Sequence, residues 1–230
     1  MTTQGTKMYK KIAILLTLSL TIFLLTPSAF AWRSVRTGQK NFERAWQAYT
    51  YLQQDKAVEY FKTSADAYAK ALAADPPSRT ARFASTLAMA GISFYYAGRY
   101  AECIEAMETA HRKEKRIWEA NLFIGLSHAR LGEKAKAIES LNAYLESLPS
   151  QRILSNSVTE QIKDIEGDST SLADAADHID KATTSQFVDN INFNHSPRTS
   201  NPSIERCSGT YWWRNNRAPC ESTGYGLNSA

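Results

Sequence analysis

The residues with the most chemical potential in this chain are three cysteines, four histidines and one aromatic triplet. Cys207 and Cys220 enclose a loop of 12 residues that holds Tyr211, Trp212, Trp213 and Pro219. In an oxidising compartment two such thiols are expected to pair as a disulfide. Closing so short a loop is worth about 3 kcal/mol on the chain-entropy account. Cys103 takes a small position on an apolar helical stripe and reads as a packed free thiol. His111, His128, His178 and His195 share no paired spacing, and zinc spacing of the C-x-x-C kind is missing, so no metal site is expected. His128 reads as a core residue. No nucleophile elbow, phosphate loop or dinucleotide fingerprint occurs, and the many acids read as solvated helix faces. Catalytic residues and cofactors are therefore not expected, and the chain reads as a non-enzyme. The Tyr211-Trp212-Trp213 cluster is large apolar surface whose exposure would cost roughly 1.5–3 kcal/mol per side chain. It gives an alternative reading, a cell-wall or glycan-associated factor that stacks these rings on sugars.

The elements that would position these residues are helices, and they repeat. Between Ala84 and Gln151 the chain echoes itself with a step of 34 residues: Gly91 with Gly125, Ser93 with Ser127, Gly98 with Gly132, Ala101 with Ala135, and Ile104-Glu105 with Ile138-Glu139. A period of this length signals stacked supersecondary units. Leu87, Ala90, Gly91, Phe94 and Ala97 recur three or four apart, as one buried helical face requires. Gly98 then supplies a left-handed C-terminal stop. A second stripe follows through Cys103, Ile104, Met107 and Ala110. In the next copy Ile124, Gly125 and His128 mark a first helix, Gly132 ends it, and Ala137, Leu141 and Tyr144 stripe a second helix that Pro149 terminates.

These positions resemble the tetratricopeptide repeat, with Trp118, Gly125, Gly132, Ala137 and Pro149 in its bulky, small, turn, Ala and Pro places. His128 and Phe94 depart from its usual Tyr, Met107 and Leu141 from its usual aromatic, Tyr144 from its usual Ala, and Lys115 from its usual Pro. A degenerate upstream copy has Phe42, Ala45, Trp46 and Tyr49 on a first helix and Tyr68, Ala71, Leu72 and Pro76 closing a second. Its turn glycine is missing, and Pro76-Pro77-Ser78 stretches the spacing to the next copy. The resemblance implies an all-α fold: a short right-handed α-solenoid of helix pairs over residues 32–182. Its repeats lie near 45–78, 84–117 and 118–151, with capping helices in 152–182. Leu154, Val158, Ile162 and Ile165 form the apolar face of the first cap, and Leu172, Ala176 and Ile179 that of a second, from Ser171 to Ala182. In the family's register the concave wall carries Trp46, Tyr49, Gln53, Ser85, Met89, Ile92, Tyr96, Glu119, Leu122, Leu126 and Arg130. The implied role is a monomeric adaptor that binds a protein or peptide in that groove.

The two ends differ from this middle. Residues 1–31 read as a signal peptide: Lys7, Lys10 and Lys11, then 14 mostly apolar residues from Ile12 to Leu25, then an A-x-A site at Ala29 and Ala31 with cleavage before Trp32. The run is short for a membrane span, so a periplasmic or secreted protein without stable membrane insertion is expected. An uncleaved N-terminal anchor is the alternative. The chain has 27 Lys+Arg and 23 Asp+Glu; three of the lysines and no acids lie in residues 1–31, which leaves 24 against 23, a net +1. A balance so near zero gives no reason to expect nucleic acid. From Thr183 to the end the chain is rich in Asn, Ser and Pro and reads as an irregular tail with the 207–220 loop. This tail is either disordered or laid over the repeats, and a third reading has it fill the groove with Trp212 and Trp213.

Overall fold

The computed structural model describes residues 27–115, 117–147 and 151–194, the side chains of 27–31, 50 and 190–194 excepted. Among the described residues there are eight α-helices and no strand: α1 Pro27–Thr50, α2 Gln54–Leu72, α3 Ala84–Tyr96, α4 Tyr100–Lys113, α5 Trp118–Arg130, α6 Lys134–Glu146, α7 Arg152–Glu166 and α8 Leu172–Asn194, with one 3-10 turn at Thr80–Arg82. Helices α1/α2, α3/α4 and α5/α6 form three antiparallel pairs stacked as an α-solenoid. Helix α7 packs on α6 and buries Leu154, Val158, Ile162 and Ile165, the face that periodicity marks. One apolar core runs through the whole stack.

Small residues set how closely each pair packs. A Cβ placed on Gly91 would lie 2.7 Å from Met107 Cγ, and one on Gly125 would lie 2.8 Å from Leu141 Cγ and 3.1 Å from its backbone nitrogen. Met107 is flexible and can turn aside; the α6 backbone cannot. Gly125→Ala is therefore expected to cost about 1–3 kcal/mol through overpacking. For Gly91→Ala the gain of up to about 1 kcal/mol in helix propensity offsets more of the clash. Urea unfolding of the two variants should rank Gly125→Ala clearly below Gly91→Ala.

Four helix ends share one turn. Arg99, Glu133, Gln53 and Ser169 each donate a backbone N–H to the carbonyl five residues earlier (Phe94, His128, Ala48 and Asp164), and the residue before each donates to the carbonyl three back. This double bond pattern needs a left-handed residue. Gly98 (φ 75°) and Gly132 (φ 77°) supply it in two turns, and Leu52 (φ 60°) and Asp168 (φ 53°) in the others. The upstream copy thus keeps its turn without a glycine. A leucine in this conformation is strained by roughly 1–2 kcal/mol, and Leu52 is 69% exposed, so little packing compensates. Leu52→Gly should raise stability by about 0.5–1 kcal/mol after the extra entropy of unfolded glycine is counted, read as a higher Tm.

Two boundaries differ from expectation. The first pair begins well before residue 45, since α1 starts at Pro27, and the helix that opens at Leu172 runs past Ala182 to Asn194. The polar run Thr183-Thr184-Ser185-Gln186 looks irregular in sequence. In the fold the first three hydroxyls donate to the carbonyls of Ile179, Asp180 and Lys181, four residues back, and Phe187 anchors the segment at 2% exposure. Tertiary packing overrides a weak local preference there. The stretched 73–83 linker also leaves a cavity of about 590 Å³ beside α2 and α4, lined by residues that include Leu72, Arg82, Leu87, Phe94 and Lys113.

Candidate functional site

The groove lined by the first helix of each repeat holds a helix of the same chain. Helix α8 packs along α7 and lies against α1 and α5, so it crosses the face formed by the first helices of the pairs and does more than cover an end. Its apolar anchor is Phe187, whose ring meets Trp46 edge-on at 4.4 Å and stacks on Trp118 at 6.3 Å. Edge-to-face and offset aromatic contacts of this kind add to the area they bury. At its other end α8 is held by charge. Arg130 donates from one guanidinium nitrogen to Asp177 at 2.6 Å and to Asp180 at 2.9 Å, and from another to the Ala173 carbonyl at 3.4 Å.

Tyrosines complete the contact. Tyr95 donates to Asp180 Oδ2 at 2.8 Å, Tyr49 donates to the Asp180 carbonyl at 3.0 Å, and Tyr96 donates to the Tyr49 hydroxyl at 2.8 Å. Asp180 thus ties α8 to α1, α3 and α5 at once. Burial pushes its carboxyl up to about 6, against the pull of Tyr95 and Arg130. The side chain keeps 20% exposure, yet its Oδ1 is shut off from water without a donor. Burial likewise raises Tyr95, Tyr96 and Tyr49 above the ordinary phenol range, so all three stay protonated donors at neutral pH. Burial works to lower Arg130, but Tyr95, Asp177 and Asp180 outweigh it and hold the guanidinium charged.

Helix α8 also finishes α7. Gln186 Oε1 accepts from the backbone N–H groups of Ile153 at 2.7 Å and Leu154 at 3.4 Å. Gln151, at the cap position, makes no capping bond with its side chain. A residue 33 positions from Ile153 and 32 from Leu154 therefore satisfies two of the orphan donors that every helix start leaves.

Of the wall residues implied by the repeat register, Trp46, Tyr49 and Arg130 touch α8, and Tyr96 reaches it through the Tyr49 hydroxyl. Met89, Ile92, Leu122 and Leu126 are buried in the core between helices, and Glu119 is fully buried. Ser85 is half-buried at the start of α3, and Gln53 lies exposed in the α1–α2 turn, bonded to Lys56. Sequence reasoning missed Tyr95 and the α8 side of the contact. A signal for the latter exists: Asp177, Asp180, Thr184 and Phe187 fall at i, i+3, i+7 and i+10, one helical face. Cys103 is buried, and that burial pushes its thiol up to about 12, as suits a packed, unreactive group. His128 is buried with Nδ1 at 2.5 Å from Glu133. No three metal-ligating side chains gather among the described residues. Cys207, Cys220, Tyr211, Trp212, Trp213 and the Pro149 stop lie outside the described residues.

A tetratricopeptide repeat family model matches residues 88–152, which run from within α3 to the start of α7. No curated protein and no solved structure matches the chain.

Proposed function

We propose that this chain, a tetratricopeptide repeat protein, is an exported, non-catalytic scaffold whose concave groove receives a helical segment of a protein partner. Repeats of this family serve protein interaction. The observation that supports the groove as the receiving surface is α8: a helix already sits there, held by Trp46, Trp118, Tyr49, Tyr95 and Arg130. A surface that accommodates one helix through an aromatic anchor and a buried charge has the features of an interaction hot spot. Export rests on the basic head, the apolar run 12–25 and the Ala29/Ala31 site. The first buried side chain described in α1 is Val35, so cleavage before Trp32 would spare the described core. Among the described residues no helix is long and apolar enough to cross a membrane. A Cys207–Cys220 disulfide belongs to the same proposal.

Groove binding requires α8 to leave, and this makes the test specific. A photo-crosslinking residue placed at Ser85, a wall position in the repeat register, is compared with one at Arg112, exposed on α4, in a chain whose α8 is loosened by Phe187→Ala. Capture of the same envelope protein from Ser85 and not from Arg112 is the expected result. Capture only from Arg112 would move the interaction to the outer face and make α8 a permanent filling of the groove.

A further inference from the structure

We infer that the groove is matched to a helix carrying two side-chain carboxylates one turn apart and an aromatic ring two turns further on, with α8 as its internal imitation. The inference rests on the scaffold reading and names the partner's chemistry. The template is Asp177, Asp180 and Phe187, spaced i, i+3 and i+10. Arg130 reads the two carboxylates with one nitrogen, at 2.6 and 2.9 Å. Tyr95 reads the second carboxylate again, and Trp46 and Trp118 flank the ring. Both carboxylates that Arg130 meets are side chains within a helix, so the surface fits an internal helical segment.

Helix α8 fills this site imperfectly, which leaves room for a better occupant. Asp180 Oδ1 is buried with no donor, and the Trp46 indole N–H is buried with no acceptor. Each such orphan weakens the docked state, because the group has given up water and gained no partner. Thr183, Thr184 and Gln186 are also buried, positions where an apolar helix face would bury more area. A partner helix with the same acid–acid–aromatic spacing that also brings a donor to the free carboxylate oxygen and an acceptor to the Trp46 indole would make the contacts of α8 without these two defects. The hinge that would release α8 is short: Gly167 to Ser171, with Asp168 left-handed and paired to Lys134.

The test uses the full chain and, as probe, a fluorescein-labelled peptide with the sequence of residues 172–194, followed by anisotropy. Phe187→Ala in the chain weakens its own α8, so the probe should bind that variant at least tenfold more tightly than the native chain. A probe carrying Asp177→Ala and Asp180→Ala, which removes the acceptors that Arg130 and Tyr95 use, should lose tenfold or more. Adding Arg130→Ala to the chain should shrink this discrimination. Equal binding of the two probes would overturn the inference, as would no binding to a chain whose α8 amides exchange freely. If Phe187→Ala does not fold, a protease site placed in the 167–171 hinge of the otherwise native chain and then cut replaces it. Failure of the probe to exchange in after cutting overturns the inference equally. The crosslinking experiment separates the two claims. A partner captured from Ser85 that the probe does not displace leaves the scaffold reading standing and removes the motif. Probe binding without any captured partner does the reverse.

Discussion

Phe187→Ala is expected to detach α8 from the groove while the repeats stay folded. The ring is among the largest fully enclosed side chains and lies against both Trp46 and Trp118. Truncating a buried Phe costs about 3–5 kcal/mol. Among its described side chains α8 has no comparable second anchor: Ile179, Ala175, Ala176 and Ala182 are smaller, and the other buried ones are polar. Local opening with a free energy below the global value is how loosely held elements behave. Native-state hydrogen exchange should therefore show α8 amides exchanging at least about 100-fold faster, at about 1.4 kcal/mol per factor of ten. Helices α3 to α6 should keep their protection. The N-terminus of α7 should loosen with α8, because Gln186 caps it. A uniform loss of protection across all helices would show that α8 is part of the global cooperative core.

The second large effect concerns Arg130, and its size depends on pH. Arg130→Ala leaves Asp180 largely enclosed without its cation. Breaking a fully buried pair this way costs about 3–5 kcal/mol; with 20% exposure at both side chains, about 2–4 kcal/mol at pH 7 is expected. The pH dependence follows from the raised carboxyl. Asp180 titrates at about 6 in the fold against an ordinary 3.8, so the folded state holds the proton more tightly. Its contribution is fully present below about pH 4 and is lost as pH rises through 6. Docking of α8 should accordingly tighten on acidification from pH 7 to 5. The difference between Arg130→Ala and the native chain should shrink over the same window as Asp180 takes up its proton. Asp180→Asn keeps the shape of the protonated acid and should flatten this slope. The double variant should be more stable at pH 7 than Arg130→Ala alone, since no stranded charge remains. Denaturant unfolding of the four proteins at pH 5 and 7 gives every comparison. A native chain with no slope between them, together with an additive double variant, would rule out the coupling.

The helix pairs are legible in the chain because their determinants are local. The 34-residue echo, the Gly98 and Gly132 turns, and the Cys103 and Leu154–Ile165 stripes each act within a few residues of themselves. Periodicity therefore exposes them. Even so, Leu52 shows that a turn can form without its usual glycine when the packing of α1 on α2 outweighs about 1–2 kcal/mol of strain. What occupies the groove was decided elsewhere. Register places Trp46, Tyr49, Tyr96 and Arg130 on one wall, but no local rule says whether that wall meets a partner or the same chain. The answer lies with Asp180 and Phe187, more than 40 residues beyond the last wall residue, in a segment whose threonines and serine carry little helical preference of their own. Those residues are helical because the groove supplies hydrogen bonds and apolar surface that the isolated segment lacks. Short-range pattern thus determined the scaffold, and the burial of one ring and one carboxylate against distant partners decided what fills it.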